Sequence, residues 1–173
     1  LLLGYFPNLI EHTEICAAAL RRKVARIIFR RASFEHGAFL SDRDHGRLAL
    51  LARGARRPRS ALRGVLHAFQ ALELGWFGGG EVKTLAKAEW QGGMPLLRGK
   101  GLLLGYYLNE LLLKLLPRED AHALLYEAYA AALLALAHGA TEAAELRRFE
   151  KTLLKELGYG LVLDRDAAGN PIA

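Results

Sequence analysis

Cysteine is almost absent from the chain, since Cys16 stands alone among 173 residues. A single thiol cannot form an internal disulfide, and it excludes zinc sites built from several cysteines. The histidines also lack the close spacing of metal ligands. They are His12, His36, His45, His67, His122 and His138. The composition therefore predicts a protein without a metal or another cofactor, and it is compatible with a reducing compartment.

The signatures of common catalytic sites are missing as well. No Gly-x-Ser-x-Gly sequence provides a nucleophile elbow. The three glycines at 78–80 are not followed by Gly-Lys-Ser/Thr, as a phosphate-binding loop requires. The acidic residues are scattered along the chain, which gives no support for a pair of catalytic carboxylates. We therefore predict that the protein is not an enzyme.

No hydrophobic run is long enough to cross a membrane. In the segment from Leu102 to Leu116 the only strongly polar residues are Asn109, Glu110 and Lys114. As a helix this segment would span about 22 Å, which is shorter than the roughly 30 Å of a bilayer core. A helix that is apolar on nearly every side needs cover on nearly every side. We therefore predict that it is the buried central helix of a helical domain.

Basic residues are concentrated in one part of the chain, although the net charge of the whole is only +6. Between Arg21 and Arg63 there are thirteen Lys and Arg residues and three acidic residues, a net charge of +10. The rest of the chain therefore carries a net charge of −4. Such an asymmetry is typical of a module that binds a polyanion and is joined to a module of another kind.

An arginine-rich stretch around Pro58 is the most informative segment, and we call residues 53–63 the basic segment. Its arginines are Arg53, Arg56, Arg57, Arg59 and Arg63. Guanidinium groups bind phosphate through two hydrogen bonds and stay charged at neutral pH. Such contacts give affinity for a nucleic-acid backbone without selecting its sequence. A solvated basic loop without a ligand is the alternative interpretation.

Five short segments in the first half have the composition of β-strands. They are residues 24–31, 38–40, 47–53, 71–77 and 82–90. Their number within about 70 residues predicts a small antiparallel barrel or sandwich. The aromatic residues on or beside them are Phe29, Phe34, Phe39, Trp76 and Phe77. We expect most of these side chains to lie in the core, although some could stack on nucleobases.

Beyond the glycines at 92–93 the pattern changes from strands to helices. Two helices are predicted after the central one, over residues 121–138 and from Thr141 to Gly158. Their predicted buried faces consist of Leu125, Tyr129, Ala132, Leu133 and Leu136 in the first, and of Leu146, Phe149, Leu153 and Leu157 in the second. Residues 1–22 remain unassigned, so the chain divides at about residues 23 and 93.

Several segments together resemble the RecO family of bacterial DNA repair and recombination mediators. They are Asp44-His45-Gly46-Arg47 continuing to Ser60, Leu72-Glu73-Leu74, Lys83-Thr84-Leu85 with Ala88-Glu89, Gly105 to Asp120, and Leu146 to Gly160. Their order and spacing carry the resemblance. Residues 1–22 do not match the family's opening, and the family normally continues beyond Asp166. We therefore expect a fragment whose helical domain is truncated at its C terminus.

The resemblance implies an α+β protein of two domains. A small antiparallel β-barrel of the OB-fold type, here residues 23–92, would bind DNA and precede an all-helical domain, residues 93–173. The resemblance also implies binding of single- and double-stranded DNA, annealing of complementary strands, and work with RecR. Together they would load RecA onto strands coated by single-stranded-DNA-binding protein, whose tail would dock on the helical domain. A cytoplasmic, nucleoid-associated location is implied as well.

The predicted DNA-binding residues are arginines, because the basic segment matches the family's positive OB-fold surface. They are Arg47, Arg53, Arg56, Arg57, Arg59 and Arg63. Residues 34–44 are a few residues short compared with the family, which would trim the second strand. The four-cysteine zinc site of some members has no counterpart here. The alternative function is a helical protein-interaction scaffold whose basic N-terminal half is not a functional DNA site.

Overall fold

The computed structural model describes residues 21–30, 36–41, 45–55, 57–92, 94–139 and 142–160, with the backbone alone at 21–30, 36–41 and 142. The strands of this part of the chain are β1 (Arg21–Arg30), β2 (His36–Ser41), β3 (Arg47–Leu51), β4 (Ala71–Phe77) and β5 (Val82–Trp90). The helices are α1 (Ala61–Val65), α2 (Gly99–Leu115), α3 (Ala123–Ala137) and α4 (Glu142–Glu156). The prediction of a mixed α+β protein is confirmed.

The strands pair in the order β1-β2-β3-β5-β4, and β4 also pairs with β1. Four of these pairs are antiparallel. The pair of β3 and β5 is parallel, with Ala49 opposite Val82. The expectation of a wholly antiparallel sheet is therefore wrong at this pair. The reason is the connection, since the chain passes through α1 and β4 between these two strands instead of through a hairpin turn.

Most strand predictions agree with the structure. The bounds of β4 and β5 are those predicted, whereas β3 ends at Leu51, before Arg53. Strand β1 starts earlier than predicted and includes Arg21 and Arg22, which pair with Trp76 and Gly75 of β4. Strand β2 has six residues instead of the predicted three, and it pairs with β1 on one side and β3 on the other. The short stretch at 34–44 thus leaves room for a strand paired along both edges.

The inward faces of β3, β4 and β5 form one apolar cluster, which we call the sheet core. Alternation produces it, because every second residue of a strand points to the same face. Leu48 and Leu50 of β3 and Leu72 and Leu74 of β4 are fully buried in this way. The remaining buried members are Ala52, Ala55, Leu66, Trp76 and Leu85. Burial of Trp76 agrees with the expectation that most strand aromatics lie in the core.

A second cluster, the helical core, lies between α2, α3 and α4. The five residues predicted for the buried face of α3 are all buried: Leu125, Tyr129, Ala132, Leu133 and Leu136. In α4, Phe149 and Leu153 are buried, while Leu146 and Leu157 are partly buried against the same cluster. The hydroxyl of Tyr129 donates a hydrogen bond to Oδ1 of Asn109. This bond gives the buried amide of α2 a polar partner inside an apolar core.

Helix α2 is not covered on nearly every side, and this expectation was wrong. One face is buried, including Leu108 and Leu112. The opposite face is exposed, with Leu103 at 69% exposure and Tyr106 at 53%. Covering the whole helix would need neighbours on all sides, but among the described elements it packs chiefly against α3 and β1. An apolar composition alone does not report how many neighbours a helix has.

Phe69 connects the two cores. It lies between α1 and β4, yet its ring is buried in the helical core. The ring stands 5.1 Å from the ring of Tyr106, centroid to centroid, in an edge-on arrangement. Two of its carbon atoms lie 3.1 and 3.2 Å from the point where a Cβ on Gly105 would stand. The ring therefore rests on the backbone of α2 at a residue that has no side chain.

A backbone contact also joins the start of β3 to the connection between α2 and α3. Gly46 has a φ of +57°, which a residue with a side chain rarely adopts. A Cβ at this position would lie 1.7 Å from the carbonyl oxygen of Asp120. Beside it, the backbone N–H of Glu119 donates to the carbonyl of Arg47 over 3.1 Å. The sheet and the helices therefore meet at van der Waals distance here, backbone against backbone.

Replacing Gly46 with Ala is expected to destabilise the protein by about 3 kcal/mol. The alanine would have to adopt a left-handed backbone conformation, and its Cβ would be too close to Asp120. Urea denaturation measures this loss of unfolding free energy. Gly139→Ala is the matched control, because Gly139 also has a positive φ, +73°, but a Cβ there meets nothing within 4 Å. The control is expected to lose only about 1 kcal/mol. Equal losses in the two variants would contradict the contact.

Candidate nucleic-acid interface

The basic segment is held in a defined shape by successive turns. The backbone N–H of Ala55 donates to the carbonyl of Ala52 over 3.2 Å, and that of Arg57 to Gly54 over 3.0 Å. A third bond joins Ser60 to Arg57, also over 3.0 Å. Ala52 and Ala55 are buried in the sheet core. The loop is thus anchored at two apolar points, and its arginines project from a fixed backbone.

Four arginines of the basic segment are exposed: Arg53, Arg57, Arg59 and Arg63. Within the described residues, no carboxylate forms an ion pair with any of them. The side chain of Arg57 lies over the loop backbone, its Cδ and Nε each 3.6 Å from the position of a Cβ on Gly54. Four positive charges in the connection between β3 and β4 are therefore available to an anion. Arg56 lies outside the described residues.

Arg47 stands apart from the other predicted arginines. Its Nε donates a hydrogen bond of 2.9 Å to the carbonyl oxygen of Leu116, at the end of α2. The guanidinium is partly buried, and this burial together with the charge of Arg118 lowers the pKa of Arg47 from its ordinary value. The side chain therefore ties β3 to the helices. A role of Arg47 in DNA binding stays a prediction.

Several basic residues outside the basic segment already have acidic partners. Lys83 pairs with Glu119. Arg118 pairs with Glu81 over 3.3 Å. The further cation–carboxylate pairs among the described residues include Lys114–Glu110, Arg147–Glu150 and Arg148–Glu145. These pairs neutralise local charge, whereas the four exposed arginines of the basic segment have no such partner among the described residues.

The aromatic residues considered as stacking candidates are not placed for that role where the structure describes them. Trp76 is 1% exposed and packs edge-on against His45 at 5.2 Å. Phe77 is half-buried. The side chains of Phe29, Phe34 and Phe39 lie outside the described set. Sequence reasoning passed over Trp90, which is exposed at the end of β5; its place just before Gly92 and Gly93 in the sequence was the available signal.

The described residues contain no group of three or more His, Cys, Asp or Glu side chains that could hold a metal ion. In the same part of the chain, no helix has the length and apolarity needed to span a membrane.

Two family models match the chain in succession. The N-terminal one, described as Recombination protein O N terminal, matches residues 40–94. The second, described as Recombination protein O C terminal, matches residues 98–173. The boundary between the two matches falls in the segment where strands give way to helices.

Curated relatives are similar over the same region. The DNA repair protein RecO of Dechloromonas aromatica is 64% identical over 133 residues, which cover 75% of this chain and 55% of the relative. That of Aromatoleum aromaticum is 64% identical over 128 residues, covering 74% and 53%. That of Thiobacillus denitrificans is 53% identical over 139 residues, covering 75% and 54%. The chain thus spans about half the length of the curated relatives it matches.

Arg47→Met is expected to lower the unfolding free energy by about 1–3 kcal/mol, because the carbonyl of Leu116 loses a charged donor. Arg59→Met is the control, since Arg59 is exposed and has no partner carboxylate among the described residues; its effect should stay within about 0.5 kcal/mol. Both are measured by urea denaturation. If Arg47→Met has the same unfolding free energy as the unchanged protein, the hydrogen bond from Arg47 to Leu116 contributes nothing to stability.

Proposed function

The chain belongs to the RecO family, and on this premise we propose that it is a non-enzymatic DNA-binding mediator of recombinational repair. In this role it anneals complementary strands and, with RecR, helps to load RecA onto DNA coated by single-stranded-DNA-binding protein. The observation that carries the proposal is that the four exposed arginines of the basic segment form no ion pair within the described residues. The role implies a cytoplasmic protein that associates with the nucleoid.

We further propose that the sheet is a small barrel of the OB-fold type. Five strands, a single enclosed sheet core and the pairing of β4 back to β1 support this. In such a barrel the connections between strands supply much of the ligand-binding surface. The basic segment is one of these connections, since it joins β3 to β4 through α1.

The chemistry of the basic segment suits a ligand recognised by its backbone. Each guanidinium can donate two hydrogen bonds to one phosphate and keeps its charge at any physiological pH. Because phosphates are the same in every sequence, such a surface binds strands without selecting among them. A protein that acts on any damaged or coated strand needs this kind of recognition.

Changing Arg57, Arg59 and Arg63 together to Gln is expected to weaken binding of single-stranded DNA roughly 10- to 100-fold at 0.1 M salt. The loss should be the same for different sequences, because phosphates carry the contacts. The slope of log affinity against log salt should flatten by about 2, at about 0.7 per phosphate lost. Fluorescence anisotropy of labelled oligonucleotides at several salt concentrations measures both quantities.

The matched control also removes three positive charges, but from arginines that lie after α2 and pair with carboxylates. Arg118, Arg147 and Arg148 each bond to a carboxylate, and their joint change to Gln should alter DNA affinity far less. If both triple variants bind as the unchanged protein does, the basic segment is not the DNA site. That result would favour the alternative, a scaffold whose helical half does the work.

The exposed face of α2 supports a docking site for a partner, and we propose it for the tail of the single-stranded-DNA-binding protein. Leu103, Tyr106 and Tyr107 lie on this face at the spacing of neighbours on one side of a helix. The hydroxyl of Tyr107 donates to Glu150 of α4 over 2.7 Å, and this bond raises the pKa of Tyr107 above its ordinary value. The apolar face is therefore exposed and joined to α4 at its edge.

Leu103→Ser is expected to weaken binding of a tail peptide roughly tenfold, because the variant cannot bury a leucine side chain against the peptide. Leu124→Ser on α3 is the control, since Leu124 is similarly exposed, at 59%. Anisotropy of a labelled peptide measures both. Binding that is weakened by the Leu124 change and not by the Leu103 change would move the docking site to α3.

A further inference from the structure

A cleft lies at the end of β5, beside α1 and the first residues of the connection to α2. Its volume is about 250 Å³. The residues that line it are Gly64, Val65, His67, Gln70, Trp90, Met94 and Leu96. Trp90 is 60% exposed and Leu96 is exposed as well. The lining is therefore mostly apolar, open to solvent on one side, and includes one large aromatic surface.

The indole of Trp90 is held in place from within the protein. Trp90 pairs with Leu72 across the sheet, so both residues share one face. Its Nε1–H donates a hydrogen bond of 3.0 Å to Oε1 of Gln70, and Gln70 itself is only 6% exposed. The amide of Gln70 in turn donates to the carbonyl of Met94 over 3.5 Å. With its N–H satisfied, the indole presents carbon surface to solvent.

The positive charge that the cleft needs for an anionic chain is next to it. Gly64 and Val65 in its wall directly follow Arg63, which is exposed. Arg57 and Arg59 precede them in the same connection. An aromatic platform beside a cationic groove is the combination that binds single strands, since bases stack while phosphates meet the cations.

We propose that this cleft takes an unpaired nucleobase, which stacks on Trp90 while the adjoining phosphates lie on Arg63 and the rest of the basic segment. The inference rests on the proposed function and deepens it, because it names single-stranded DNA as the preferred form. In a duplex the bases are stacked on each other and paired, so only the phosphate contacts remain. The cleft thus adds affinity for single strands alone.

Trp90→Ala in the full chain is expected to weaken binding of single-stranded oligo(dT) roughly 5- to 100-fold, the range measured for the loss of one stacked base. Affinity for a duplex of equal charge should stay unchanged. Trp90→Tyr should restore most of the single-strand affinity, because a phenol ring also stacks. Tyr159→Ala is the control, because Tyr159 is another exposed aromatic residue, 72% exposed, that follows α4. This change should alter neither the single-strand nor the duplex affinity.

A second readout separates this proposal from the proposed function. An abasic strand has the same phosphates and no bases, so the unchanged protein should prefer oligo(dT) to it, and Trp90→Ala should not. Oligo(dT) should also quench the fluorescence of Trp90 in the unchanged protein. If Trp90→Ala binds both strands as the unchanged protein does, the base site is refuted while backbone binding stands. If the unchanged protein binds no DNA at low salt, both proposals fail.

Discussion

The contact of Phe69 with helix α2 joins the two halves through a buried apolar side chain, alongside the backbone contact at Gly46 and the hydrogen bond of Arg47. Its ring rests on Gly105 and Tyr106 although its backbone belongs to the sheet half. Phe69 has a φ of 70°, and this left-handed backbone conformation costs about 1–2 kcal/mol. Burial of its side chain contributes about 1.5–3 kcal/mol and offsets that cost. The same turn of the backbone sends the next residue, Gln70, to Trp90. Phe69 therefore packs in the helical core while its neighbour Gln70 forms part of the cleft.

The described arginines fall into two groups, those that pair with a carboxylate and those that do not. Arg118 and Arg148 have acidic partners, and an anion would have to displace these partners before it could bind. Arg53 and Arg59 have none among the described residues, so a phosphate meets them without breaking an existing pair. Exposed pairs are individually weak, about 0–1 kcal/mol. Pairing nevertheless leaves less free charge for an anion at Arg118 and Arg148 than at Arg53 and Arg59.

Local pattern predicted the elements well, and contacts between distant residues explain what it missed. The bounds of β4 followed from alternation and those of β5 from the glycines on either side of it, while the buried faces of α3 and α4 followed from helical spacing. The contact of Arg47 with Leu116, 69 residues away, could not be predicted, since nothing local distinguishes this arginine from Arg53. Exposure of Leu103 depends on how many elements surround α2, and that number is a property of the fold. Trp90 pairs with the fully buried Leu72, so its exposure also depends on where the sheet ends.

The strand order has a consequence for the chain as it emerges from the ribosome. β1, β2 and β3 pair as neighbours in sequence, but the outer edges of β1 and β3 pair only with β4 and β5, which are synthesised later. Until Trp90 has emerged, the unfinished sheet has two open edges, and open edges invite pairing with another chain. Charge on a strand opposes such pairing, and β1 reads Arg-Arg-Lys-Val-Ala-Arg-Ile-Ile-Phe-Arg. The five basic residues of β1 therefore oppose pairing between two unfinished sheets.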